Sequence, residues 1–166
     1  MNLLINFIYS KIIGYNFFIF EKIKYNFKKK KLDNLLKIKD PLISILLPTF
    51  NRSKILKERA IKSVLLQSYK NYELIIIDDA STDNSREIID GYKNRYPEVI
   101  KVVLNDKNLG ISKTRNIGLK NCSSDFITFL DADDFFYPNK LEFEYNLLKN
   151  RDIHVAYSNF NYIVFQ

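Results

Sequence analysis

One pattern restricts this chain more than any other. Four times between Ile43 and Leu130 a short apolar run stops at a polar cluster, and a helical stretch follows each time. The runs are Ile43–Leu47, Leu74–Ile77, Ile100–Leu104 and Phe126–Leu130. They are too short for helices and rich in β-branched residues, so they read as buried strands. The first helical stretch carries an apolar stripe of Ile55, Ala60, Ile61, Val64 and Leu65. The second runs from about 85 to 96, with Asp83 or Ser85 as N-cap. The third covers about 111–121. The fourth follows Pro138, a residue tolerated at helix starts, and carries Leu141, Tyr145 and Leu148. Ile153–Tyr157 reads as a fifth strand. Strands alternating with helices predict an α/β fold, a mainly parallel sheet with helices on both faces.

In such a sheet ligands bind beyond the carboxyl ends of the strands, where the chain order reverses. The strand exits therefore mark a candidate site. They carry Thr49, Phe50, Asn51 and Arg52, then Asp78 and Asp79, then Asn108, then Asp131-Ala132-Asp133-Asp134. Three carboxylates within four residues repel one another. A hard cation, Mg²⁺ or Mn²⁺, is the simplest remedy, and Mg²⁺ usually binds one or two carboxylates plus substrate phosphates. Asp131 and Asp133, two apart, can present carboxylates to one ion. Asp79 can accept from a sugar hydroxyl or a base N–H, and Phe50 can offer an aromatic face. Arg52 and Arg115 can meet phosphate oxygens. Taken singly, each feature has a plainer reading. An Asp-rich loop is also a solvated turn with capping duties, Phe50 a core residue, and Lys113, Arg115 and Lys120 an exposed helix face. Cys122 reads as a small buried apolar residue and His154 as structural. Four strand exits with matching chemistry favour the site.

Composition removes competing chemistries. One Cys and one His leave no disulfide framework, cysteine zinc site or multi-histidine centre. Only four glycines occur, and no G-x-G-x-x-G or Walker A sequence follows a strand. The acidic loop lacks the glycine and later ligands of a calcium loop. A phosphoaspartate enzyme shares acids at strand exits and remains a distant alternative. The +7 net charge is uneven. Residues 1–40 hold nine Lys against three acids, +6, while 41–166 carry seventeen bases against sixteen acids, +1. The near-neutral body argues against nucleic acid as a partner.

Residues 1–27 are rich in aromatics, with apolar residues at Leu4, Phe7, Ile8, Ile12, Tyr15, Phe18 and Ile19. That spacing predicts an amphipathic helix. Beside Lys28–Lys31 it suits a helix in the membrane interface, a helix packed on the domain or on a further C-terminal part, or a poorly ordered extension. No apolar run approaches the roughly 20 residues of a spanning helix. Residues 1–40 are therefore expected to be a basic helical extension, and 41–166 the domain proper.

The motifs together resemble a known family. They are Pro48-Thr49-Phe50-Asn51-Arg52, Ala60-Ile61 through Gln67 and Tyr69, Glu73 to Asp83, Asn108-x-Gly110 with Arg115-Asn116-x-Gly118, Phe129 to Asp134, and Pro138-x-Lys140-Leu141. From about residue 42 to 150 this is similar to the N-terminal part of family 2 glycosyltransferases, with a GT-A, Rossmann-like fold. The resemblance implies a nucleotide-sugar donor, often a UDP-sugar, and a glycan or glycolipid acceptor. It places Thr49, Phe50, Asn51, Arg52, Asp79, Arg115, Asp131 and Ala132 against the donor. Asp131 and Asp133 would hold the metal, Mn²⁺ or Mg²⁺. It further implies work on cell-surface polysaccharide, in the cytoplasm at the inner face of the membrane, with residues 1–31 as the peripheral contact. The family's general base belongs to the acceptor-binding half and is expected beyond Gln166. The domain is thus expected to be incomplete at its C-terminus, and donor binding without transfer is the alternative activity.

Overall fold

The computed structural model describes residues 18–21, 40–149 and 155–157. Among these residues six strands form one sheet: β1 (Phe18–Glu21), β2 (Ile43–Thr49), β3 (Tyr72–Asp78), β4 (Ile100–Leu104), β5 (Phe126–Phe129) and β6 (Val155–Tyr157). Their order is β4-β3-β2-β5-β1-β6. β4, β3, β2 and β5 are parallel. β1 lies antiparallel between β5 and β6.

The helical segment α1 runs as Ser53–Ile55, a π-helical stretch Leu56–Ala60 and Ile61–Leu65. It is followed by α2 (Ser85–Arg95), α3 (Ile111–Lys120) and α4 (Lys140–Lys149). Strand alternation sends Ile43, Ile45, Leu47, Leu74 and Ile76 into a core with Leu56, Ala60, Ile61, Val64, Ile89, Leu141, Tyr145 and Leu148, from α1, α2 and α4. Leu46, Ile75, Ile77 and Ile127 face the other way, onto Cys122 and the Ile117 and Leu119 side of α3. Every residue of β2 is buried because both faces are covered, which is why its sequence shows no polar alternation. A Cβ on Gly118 would come 2.8 Å from Ile77 Cδ1 and 3.0 Å from Leu46 Cδ2, so glycine sets how closely α3 approaches the sheet.

Some expectations need correction. Phe18–Glu21 is a strand, not part of a helix. Its register with Phe126–Thr128 on one side and Val155–Tyr157 on the other satisfies backbone groups that local spacing cannot foresee. The remainder of the expected N-terminal helix lies outside the described residues, as does His154. In α1 the wide turn Leu56–Ala60 rotates the helix, so Leu56 is buried and Ile55 only half-buried. Neither Asp83 nor Ser85 is the N-cap of α2; Asn84 holds that position without a side-chain cap bond. Asp83 serves from one residue back, accepting the Ser85 N–H on Oδ1 at 3.0 Å. No helix among the described residues is long and apolar enough to cross a membrane.

A polar cluster ties the strand starts together, at the edge opposite the strand exits. Glu73 Oε1 accepts from Ser44 Oγ at 2.5 Å and Ser123 N at 2.6 Å, while Oε2 pairs with Lys101 Nζ at 2.6 Å. Burial raises the Glu73 pKa, but Lys101, Ser44 and Ser123 together bring it below the ordinary range.

Candidate active site

β2 is the first strand of the parallel block and sits between β3 and β5. The chain steps outward from it to β3 and β4, then returns to β5 on its other side. That reversal is the switch point at which open α/β sheets bind ligands. A cleft of about 360 Å³ opens there. Pro48, Thr49, Phe50 and Arg52 line it from the β2 exit, Asp79 from β3, and Asp131, Ala132 and Asp133 from β5. Asn108, Gly110, Ile111 and Thr114 close it from the β4–α3 connection.

Asp79 is the anchor of one wall. It is 4% exposed. Its Oδ1 accepts from Asn105 Nδ2 at 2.7 Å and Leu109 N at 2.9 Å, and its Oδ2 accepts from Gly110 N at 2.9 Å. Burial pushes this carboxyl up, but the Leu109, Asn105, Thr114 and Gly110 donors outweigh it and hold the group ionised below the usual range. Gly110, at φ +81°, lets the chain turn tightly enough for two successive N–H groups to reach one carboxylate. Thr49 is 4% exposed and its buried hydroxyl has no hydrogen-bond partner among the described residues. Phe50 is not a core residue; it is 42% exposed on the cleft wall.

The acidic loop forms the facing wall. Leu130 N donates to Leu46 O and Asp134 N to Asp131 O. Phe136 N donates to Ser63 Oγ at 3.0 Å. Buried Gln67 donates to Tyr137 O at 2.7 Å and accepts from Leu141 N at 3.1 Å. Asp131 Oδ1 is held by Arg115 NH2 at 2.6 Å, and Asp133 is exposed. Burial, then the fields of Asp133 and Asp131, push the Asp134 carboxyl up to about 7. Its buried Oδ2 has no hydrogen-bond partner among the described residues. The loop therefore concentrates acidic groups, of which Asp131 alone has a cationic partner among the described residues. Among the described residues no three carboxylates converge tightly enough to cage an ion unaided. Two oxygen ligands on one wall of an open cleft do suit a cation that takes its remaining ligands from phosphate and water.

Two residues expected to touch a ligand do not line the cleft. Asn51 bonds instead to the loop after β3: its N donates to Ser81 Oγ at 2.9 Å, and its Oδ1 accepts from Thr82 N at 2.8 Å. Arg115 lies behind Asp131, its guanidinium 5.6 Å from the Phe129 ring centroid. Asp78 is buried and internal, paired with Arg86 at 2.8 Å. Lys113 and Lys120 are exposed, as expected. Ile111 and Thr114 were not singled out in the sequence, although a helix beginning directly after Gly110 pointed to them.

Residues 44–164 match the family described as Glycosyl transferase family 2, and the chain belongs to that family. A Haemophilus influenzae protein named an uncharacterized glycosyltransferase is 42% identical over 120 residues, 72% of this chain and 47% of its own length. WfgD of Escherichia coli, named a UDP-Glc:alpha-D-GlcNAc-diphosphoundecaprenol beta-1,3-glucosyltransferase, is 37% identical over 125 residues, 75% of this chain and 47% of its own. Among solved structures, Staphylococcus aureus TarS 1–349 in complex with UDP aligns with a TM-score of 0.59 at 29% identity, covering 65% of this chain and 32% of that 1–349 chain. GalNAc-T7 with UDP, GalNAc and Mn²⁺ aligns at 0.50 and 25% identity, covering 55% of this chain and 18% of its own. The fold is that of the GT-A glycosyltransferases. The chain spans about half the length of these two curated relatives.

Proposed function

We propose that the cleft binds a nucleotide-sugar donor, and that the protein transfers its sugar to a cell-surface glycan or glycolipid acceptor. The observation that carries this reading is the opposition of two walls at the switch point. One presents the buried, hydrogen-bonded carboxylate of Asp79 beside Thr49 and Phe50; the other presents Asp131 and Asp133. The first wall suits a base and ribose. Phe50 offers a stacking face, Asp79 accepts an N–H or hydroxyl, and the Thr49 hydroxyl, without a partner among the described residues, suits a polar atom of the ligand. The second wall suits a diphosphate held through a divalent cation, with Arg52 at the rim. Mn²⁺ or Mg²⁺ at Asp131 and Asp133 would stabilise charge developing on the leaving diphosphate. Structural neighbours bound to UDP, one also to Mn²⁺, support a UDP-sugar and a metal. The name of WfgD supports a lipid-linked acceptor, which would bring the protein to the inner membrane face, with Lys28–Lys31 as the basic contact.

A second reading is donor binding without transfer. Of the three acids lining the cleft, Asp79 is held by three donors, Asp131 by Arg115, and Asp133 is assigned to the cation. That leaves no cleft carboxylate among the described residues to deprotonate an acceptor hydroxyl. Calorimetric titration of UDP and GDP with and without Mn²⁺ tests the common part. Mn²⁺ is expected to tighten binding, and Asp133→Ala to abolish the metal-dependent increment while leaving metal-free binding. Equal affinities for the two proteins in Mn²⁺ would overturn the metal assignment. Release of UDP from a UDP-sugar in the presence of a lipid-diphosphate acceptor separates transfer from binding alone.

A further inference from the structure

Resting on the donor-binding reading, we infer that Asn51 is a positioning residue, acting on the nucleotide through the loop after β3 and not by contact. Its neighbour Phe50 and the residue Asp79 form the wall assigned to the base, and they come from different strands. Between these strands one backbone bond fixes the exits, Asp79 N to Thr49 O at 2.9 Å. Beyond that point side chains lace the two loops. Asn51 N donates to Ser81 Oγ, and Asn51 Oδ1 accepts from Thr82 N at 2.8 Å, Thr82 Oγ1 at 3.3 Å and Asp83 N at 3.3 Å. Asp83 returns the link, its Oδ2 accepting from Ser53 N at 3.0 Å. Both loops are turned by left-handed residues next to the wall, Asn51 at φ +50° and Ala80 at φ +64°. Asn tolerates that conformation better than most residues. Ala does not favour it, so the surrounding bonds must hold it there.

Asn51 grips the loop with its amide oxygen as acceptor, and it does not line the cleft. This separates positioning from direct recognition. Asn51→Gly keeps the left-handed backbone and removes the acceptor. Asn51→Asp keeps acceptor oxygens, also tolerates the backbone, and removes any amide donor. UDP is titrated calorimetrically into the full chain and both variants, at physiological ionic strength, with thermal melts alongside. Asn51→Gly is expected to weaken UDP binding about tenfold, the equivalent of one or two lost hydrogen bonds. Asn51→Asp is expected to restore affinity to within about twofold of the original. Wild-type affinity in Asn51→Gly would overturn the inference, as would binding by Asn51→Asp as weak as that of Asn51→Gly, the mark of a direct amide contact. Failure of the unaltered protein to bind UDP would instead refute the uridine-donor reading, and this inference with it.

Discussion

Asp79 combines two duties in one carboxylate. It faces the cleft, and it holds the Leu109–Gly110 turn that closes the same cleft. Its ionised form is matched by donors alone, so an amide is a poor replacement: the new NH2 must point at Leu109 N, Asn105 Nδ2 or Gly110 N. Asp79→Asn is therefore expected to cost about 1–3 kcal/mol of stability, read from urea unfolding, together with a loss of nucleotide affinity. A variant as stable as the original would show that these donors find water or other partners. At this scale the sequence was informative about residue type and less so about direction. Asp79 and Phe50 reached the cleft because they follow strand ends directly, and Asp133 because the loop after β5 turns back over the same exit. Asn51 and Arg115 have equally suitable chemistry, but Asn51 turns into a left-handed loop and Arg115 folds behind Asp131. Neither orientation is written in spacing.

Elements were more legible where burial is local. The expected Ile100–Leu104 strand has the observed bounds, and Ile43 and Phe126 begin their strands as expected. These runs are mainly apolar, broken by Ser44, Lys101 and Thr128, and the central strand β2 is buried on both faces of the sheet. Phe18–Glu21 was misread because four apolar-rich residues fit a helix and a strand equally, and its partners lie more than a hundred residues away. The Glu73–Lys101–Ser44 cluster was missed for a related reason: polar residues at strand starts look solvent-facing until neighbouring strands bring them together. Gly118 gives the element scale its own test. A valine there would force Ile77 and Leu46 out of place between α3 and the sheet. Overpacking of this kind typically costs about 1–3 kcal/mol. Thermal melts of Gly118→Val should show that loss, and an unchanged midpoint would mean α3 can lift from the sheet freely.

Over the whole molecule, the pH range of stability follows from groups placed far apart. Tyr69 donates to Pro41 O beneath Tyr145. Burial, and then the Tyr145 and Asp40 charges, raise its pKa. Burial also raises Tyr72, Tyr92 and Tyr145. Their neutral forms are favoured in the folded state, so this stability is complete below pH 10, the ordinary tyrosine value, and is lost as pH rises beyond it. Acid acts on the opposite set. Burial opposes ionisation of Asp83, but bonds from Ser85 and Ser53 prevail and bring it to about 2, and Glu73 and Asp79 are also lowered. Their contribution is present above the ordinary carboxylate range and disappears as pH falls through it towards 2. Circular dichroism against pH should therefore show losses in acid below the ordinary carboxylate range and in base above about 10, while Asp134, raised to about 7, takes some stability away as pH climbs from the carboxylate range towards 7. Unfolding that begins near pH 8 would contradict the tyrosine assignment.

The seat of β1 has a consequence in time. A ribosome makes Phe18–Glu21 first, yet its register partners run from Phe126 to Tyr157. The loops that must close are therefore longer than a hundred residues, and closing them delays pairing until nearly all of this stretch has been synthesised. During that interval the four parallel strands can assemble around β2, while an aromatic β-forming segment waits without a template. The first part of the sheet to be made must thus wait for β5, and β6, which among the described strands bonds to β1, can be added only once β1 is seated.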